Sequence, residues 1–154
     1  MLEPPKITQT SAQLMACIHL TVARAAIRDV MGPGIGEVMA TIAAQGIAIT
    51  GPWFTHHLRM PSDSFDFEIC VPVATPVVAA GRVKPGLLPA ATVAQTVYQG
   101  PYEGLGAAWG EFKAWIAAGG HNEAPDLWER YVVGPDASPD PANYRTELNQ
   151  PLLG

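Results

Sequence analysis

The chain has 154 residues, 48% of them hydrophobic and only 15% charged, which fits one ordinary domain with a single sizeable core and excludes a disordered chain. Its 15 Gly and 15 Pro exclude a long helical bundle and predict short elements joined by many turns. Nine Lys and Arg against 14 Asp and Glu give a net charge of -5 with no basic stripe, so direct nucleic-acid binding is not expected.

The start Met1-Leu2-Glu3-Pro4-Pro5 lacks a basic leader. The apolar stretch after Ala12 is interrupted by His19, Arg24, Arg28 and Asp29. Neither a signal peptide nor a membrane span fits, and the expected location is the cytoplasm. Ile18, Leu20, Val22, Ala26 and Ile27 suit a strand over 16–30, which Gly32-Pro33-Gly34 would stop. Ile35, Val38, Met39, Ile42 and Ala43 then recur at helical spacing, with Gly46 as the C-cap. Two aromatic and β-branched runs, 52–60 and 65–73, flank the hairpin residues Pro61-Ser62-Asp63-Ser64.

After a connection marked by Lys84-Pro85-Gly86, residues 91–99 alternate as a strand. Gly100-Pro101 opens a helix whose broad apolar face is Leu105, Ala108, Trp109, Phe112, Trp115 and Ile116, ended by Gly119-Gly120. Strand-like runs 127–133 and 144–152 follow, separated by the Pro-rich loop 134–141.

Both halves therefore read β-α-β-β. Gly32-Pro33 matches Gly100-Pro101 if the second helix is about two turns longer, and Ile42-Ala43-Ala44 with Gly46 matches Ile116-Ala117-Ala118 with Gly120. Trp53 falls on Trp128, His56 on Tyr131, and Glu68 with Pro72 on Glu147 with Pro151. The expected fold is α+β: one domain over 1–154 built of repeats 16–73 and 91–152 with a connection at 74–90. The two repeats should form an antiparallel sheet with two main helices, related by a pseudo-twofold axis with a cleft at the seam.

Tyr98-Gln99-Gly100-Pro101-Tyr102-Glu103 leading into Ala108-Trp109, then Trp128-Glu129-Arg130-Tyr131, and finally Tyr144-Arg145-Thr146-Glu147-Leu148-Asn149-Gln150-Pro151-Leu152 carry a family resemblance. In them the chain resembles the GyrI-like superfamily, the effector-binding domain of AraC-type and BmrR-type regulators, over about 16–152. The resemblance implies that Glu147, in the closing strand, faces a cationic, planar, drug-like ligand in an aromatic groove. It implies sensing or sequestration of a hydrophobic or cationic small molecule.

Relatives that regulate transcription carry a helix-turn-helix, for which the residues before Ala16 are too few. Some stand-alone relatives look like cofactor-independent hydrolases that open cyclopropane-bearing alkylators, and others interact with DNA gyrase, so a hydrolase and a protein-partner role stand as alternatives. His56-His57 and Asn149 depart from the family pattern and predict a different ligand shape.

By alternation alone, Glu147 shares a strand side with Arg145 and Asn149, a pattern equally suited to a solvated face. Tyr131 and Glu129 share a face opposite Trp128 and Arg130, as converging ligand groups or as a plain edge-strand pair. The expected ligand contacts are Glu147, Tyr131, Glu129, His56, Trp128 and Trp109. In an enzyme, Tyr131 would donate a proton and Glu147 would activate water.

His56 and His57 point to opposite faces and cannot share a metal. Cys17 and Cys70 belong to no Cys/His motif and read as buried, reduced thiols. No metal and no cofactor are expected, and glycine-rich nucleotide loops are missing. The expected state is a monomer or a homodimer.

Overall fold

The computed structural model describes residues 2–59, 63–135 and 137–153. Eight strands and two α-helices follow in the order β1 (Lys6–Gln9), β2 (Gln13–Ala23), α1 (Ile27–Ala44), β3 (Phe54–Arg59), β4 (Ser64–Pro72), β5 (Lys84–Leu88), β6 (Thr92–Gln99), α2 (Leu105–Ala118), β7 (Leu127–Val133) and β8 (Arg145–Pro151). The fold is α+β, and the strand pairings within each unit are antiparallel. Hairpin chemistry expected at Pro61 and Ser62 lies outside the described residues.

The chain forms two compact units, residues 11–90 and residues 1–10 with 91–154. In the first, β2 pairs with both β4 and β5, and β3 pairs with β4. In the second, β6 pairs with both β1 and β8, and β7 pairs with β8. Each unit is thus a four-stranded antiparallel array with one helix. The stretch around Lys84-Pro85-Gly86, expected as a connection, is strand β5. Pro85 is tolerated there because an edge strand can spare an N–H.

The strand expected over 16–30 ends at Ala23, and Gly32-Pro33-Gly34 lies inside α1. Helical spacing in fact runs back from Ile42 through Val38, Ile35, Met31 and Ile27, all packed on one core with Ile18, Phe67 and Ile69. Gly34 serves close approach: a Cβ there would lie 2.5 Å from Ile69 Cδ1 and 3.1 Å from Ile18 Cδ1. It allows the helix to settle on β2 and β4 where a larger residue would hold it off.

In the second unit Phe112, Ile116 and Ala108 of α2 bury against Ala94, Tyr98 and Leu148. Trp115, expected on that face, is 37% exposed and stacks on His121.

The repeat match needs a new register. Both helices end alike, with Gly46 at φ 65° and Gly120 at φ 74° just past them. The first helix is the longer, however, at 18 residues against 14. Glu68 lies opposite His56 on β3, and Glu147 lies opposite Arg130 on β7. Both pairs of strands are irregular one step later, between His57 and Arg59 and between Tyr131 and Val133. His56 therefore corresponds to Arg130, His57 to Tyr131, and Phe54 to Trp128, one position away from the expected match. The match of Glu68 with Glu147 stands.

Candidate functional site

Residues opposite one another on antiparallel strands send their side chains to the same face. In the second unit Tyr131 lies opposite Thr146, whereas Arg130 lies opposite Glu147. Tyr131 and Glu129 consequently face α2, and Glu147, Arg130, Trp128 and Asn149 face the other way. Of the six candidates, Tyr131, Glu129 and Trp109 lie on the helix side of the second unit, Glu147 and Trp128 lie on its other face, and His56 lies in the first unit, so the Tyr131–Glu147 acid–base pair is not assembled.

On the helix side, Glu129 is 9% exposed. Its two carboxylate oxygens each accept one hydrogen bond, Oε2 from the Trp109 indole N–H at 2.6 Å and Oε1 from the Tyr131 hydroxyl at 2.8 Å. Burial raises its pKa above the usual carboxylate range, while these two donors pull it down. The Tyr131 ring meets Tyr102 edge-on at 6.0 Å, and Tyr102 packs on Tyr144 at 4.9 Å. Trp109, Tyr102, Tyr131 and Tyr144 are all half-buried.

The start of the following helix fixes this arrangement, because the Tyr98 hydroxyl donates to the Pro101 carbonyl at 2.9 Å and so holds the turn carrying Tyr102. The result is a buried carboxylate held by the polar edges of Trp109 and Tyr131, with Tyr102 against Tyr131 and Tyr144 against Tyr102.

On the other face, Glu147 is engaged by its neighbours. Its Oε1 accepts from Asn149 Nδ2 at 3.0 Å, Asn149 Oδ1 accepts from Gln95 Nε2 at 2.8 Å, and Arg130 Nε stands 3.9 Å away. Trp128, 2% exposed, shares this face. A carboxylate so supplied with a guanidinium and an amide chain is a weaker anchor for an incoming cation than Glu129.

In the first unit, the face carrying Glu68 also carries His56, Cys17 and Cys70. His56 Nδ1 lies 3.4 Å from Glu68 Oε1, and the Cys17 thiol donates to Glu68 Oε2 at 3.5 Å. The His56 hydrogen bond holds the Glu68 pKa below the usual range, against the opposing effect of burial. Nearby, His19 pairs with Asp66.

On the helix side His57 stacks on Phe67 at 5.3 Å and meets Phe65 at 5.7 Å, with its Nε2 3.2 Å from the Thr55 hydroxyl. Burial, then the nearby His56 and Arg24, lower its pKa from 6.5 to about 4. The two histidines point to opposite faces, as alternation requires.

Sequence reading missed the pairing of Cys17 with Cys70, which lie opposite one another on β2 and β4. Their separation along the chain matches no metal spacing, and only the strand register unites them. Tyr102 and Tyr144 were visible within quoted motifs, but nothing in their spacing announced that they would meet.

A family model described as GyrI-like small molecule binding domain matches residues 4–153. No curated protein matches the chain by sequence. Among solved structures, the EcmrR C-terminal domain is similar with a TM-score of 0.86 at 21% identity, covering 97% of each chain. In the EcmrR–DNA complex the chain spans 57% of the EcmrR chain. A hydrolase from Listeria innocua is similar with a TM-score of 0.70 at 12% identity, covering 97% of this chain and 91% of that one. SAV2435 bound to tetraphenylphosphonium is similar with a TM-score of 0.67 at 15% identity, covering 99% and 95%. At these identities the likeness is one of fold.

Proposed function

The chain belongs to the GyrI-like small molecule binding domain family, and from that premise we propose that it senses or sequesters an aromatic or amphipathic organic cation, held against Glu129. The supporting observation is the buried Glu129 carboxylate between the Trp109 indole and the Tyr131 hydroxyl, with Tyr102 edge-on to the Tyr131 ring. A bound cation would replace lost hydration with Coulombic attraction and would meet aromatic faces as it did so.

Tetraphenylphosphonium, the ligand of SAV2435, is a suitable first probe, read by quenching of tryptophan fluorescence. We expect saturable binding that weakens at least tenfold in Glu129→Gln, since two opposite charges a few ångströms apart near a protein surface attract by on the order of 4 kcal/mol. Binding by the wild type should tighten as pH rises and Glu129 ionises. Absence of saturable binding across a panel of lipophilic cations would sink the reading, and equal affinity in Glu129→Gln would remove Glu129 from it.

A second reading, hydrolysis of a strained electrophile such as a cyclopropane, is favoured by the Tyr131–Glu129 hydrogen bond. Tyr131 would donate a proton to the opening ring, and Glu129, its pKa raised by burial, would take one from the attacking water. Glu147 has no part in this step because it lies on the opposite face. Mass spectrometry decides: product beyond one equivalent that disappears in Tyr131→Phe supports catalysis, and stoichiometric retention of intact ligand refutes it.

A further inference from the structure

Outside the aromatic site, the first unit gathers two thiols and a carboxylate at one point. Cys17 and Cys70 lie opposite one another on β2 and β4, and Glu68 and His56 lie opposite one another on β4 and β3. One ligand atom from each of Cys17, Glu68 and Cys70 falls within 4.8 Å of the other two. We propose that Cys17, Cys70 and Glu68 form a binding site for a thiophilic divalent cation of the zinc class.

The distances suit such an ion. With metal–sulfur bonds of about 2.3 Å and metal–oxygen bonds of about 2.0 Å, a tetrahedral site sets sulfur and oxygen roughly 3.5 Å apart. Cys17 Sγ and Glu68 Oε2 are 3.5 Å apart. Three protein ligands leave one position for solvent, the pattern of an open site.

The donor set also selects the ion. Two sulfurs and one carboxylate favour zinc-like metals over calcium or magnesium, which take oxygen ligands. His56 Nδ1, 3.4 Å from the other oxygen of Glu68, acts as a positioning residue that orients the carboxylate. Cys70 is fully buried and Cys17 nearly so, while the Glu68 side chain is 21% exposed and offers the approach from solvent. Binding replaces the two S–H protons by metal–sulfur bonds and releases both protons to the buffer.

The second unit supplies an internal control. Where the first unit has Cys17, Cys70, Glu68 and His56, the second has Gln95, Asn149, Glu147 and Arg130. Carboxamides are poor ligands for a thiophilic ion, and Arg130, 3.9 Å from Glu147, repels a cation. One metal per chain is therefore expected, not two.

The test uses the reduced, chelator-treated full chain titrated with cobalt(II), followed by visible and near-ultraviolet absorption. The expected result is one equivalent bound, with the sulfur-to-cobalt charge-transfer band and the intense visible bands of a tetrahedral thiolate site. Zinc should displace the cobalt. Both signals should vanish in Cys17→Ser and in Cys70→Ser, affinity should fall roughly 10- to 100-fold in His56→Gln, and Gln95→Ala should change nothing. Should Cys70→Ser fail to fold, Cys17→Ser, whose side chain is less deeply buried, carries the test. Absence of a charge-transfer band in protein with two titratable thiols would overturn the site, as would a band that survives Cys17→Ser or a thiol count showing the two cysteines joined as a disulfide.

Discussion

In one unit Tyr131 donates to Glu129 and meets Tyr102, which packs on Tyr144; at the equivalent places the other unit carries His57, Thr55, Arg24 and Phe65. The contacts are kept while their chemistry changes. Tyr102 packs on Tyr144 at 4.9 Å, and Arg24 sits 4.5 Å over the Phe65 ring. On the opposite face an amide chain, Gln95 to Asn149 to Glu147, stands where Cys17, Cys70 and Glu68 stand in the other unit. Strand register and helix placement are set by the apolar core and by backbone hydrogen bonds. The polar residues that the frame displays are therefore free to diverge, and one repeat holds a carboxyl among phenols while the other holds basic groups among rings.

The largest expected effect probes the frame. Val38 and Phe112, both fully buried, fall at equivalent places four residues before Ile42 and Ile116. Phe112→Ala should cost about 3–5 kcal/mol, and Val38→Ala about half of that, because the cavity left scales with the atoms removed. Denaturant unfolding monitored by circular dichroism measures both. Equal costs would mean that the two helices do not anchor their units in the same way.

Next comes acid. His57 has a folded pKa lowered from 6.5 to about 4, so its contribution to stability is present above the unfolded value and is lost as pH falls toward the folded one. That shift corresponds to roughly 3 kcal/mol at most. His57→Phe, which keeps a ring against Phe67, should flatten the decline between those two values. A decline that persists unchanged in His57→Phe would assign it to other groups.

How much of this was legible follows the kind of signal. Residues 127–133 and 91–99, short β-rich runs between turn residues, were read almost to the residue, because period-two patterning carries strand and face together. Gly32-Pro33-Gly34 misled because glycine and proline usually punctuate, whereas here a continuous apolar stripe from Ile27 to Ile42 outweighs them.

At the site, the shared face of Glu129 and Tyr131 was legible from alternation, and so was the separation of His56 from His57. The opposite placement of Glu147 and Tyr131 depends on pairing between β7 and β8, which no single strand encodes. For the same reason the meeting of Cys17 with Cys70 could not be read.

A smaller effect sharpens the comparison at the helix–strand contact. Gly34 and Ala108 occupy equivalent turns, but only Gly34 lacks room for a Cβ, with Ile69 Cδ1 2.5 Å from where one would lie. Gly34→Ala should destabilise by about 1–3 kcal/mol through overpacking, although alanine is the better helix former. Ala108→Gly should cost about 1 kcal/mol for the opposite reason. A stabilising Gly34→Ala, read as a rise in Tm, would show that Ile69 yields at little cost and that α1 could sit farther from its strands.

The smallest effect is a slope, and it reverses the acid prediction. Glu129 has a folded pKa raised by burial, so its contribution to stability is full below the unfolded carboxylate value and is lost as pH rises through the folded one. The two units should thus respond to pH in opposite senses, His57 penalising acid and Glu129 penalising its removal. In Glu129→Gln the amide still accepts one hydrogen bond but cannot ionise, so stability should stay level with rising pH over the range where the wild type declines. Adding a saturating lipophilic cation should level the wild-type curve as well, because a bound cation stabilises the ionised carboxylate that burial disfavours. If the cation shifts Tm equally at every pH, its charge is met somewhere other than Glu129, and the contrast between the two units is one of packing alone.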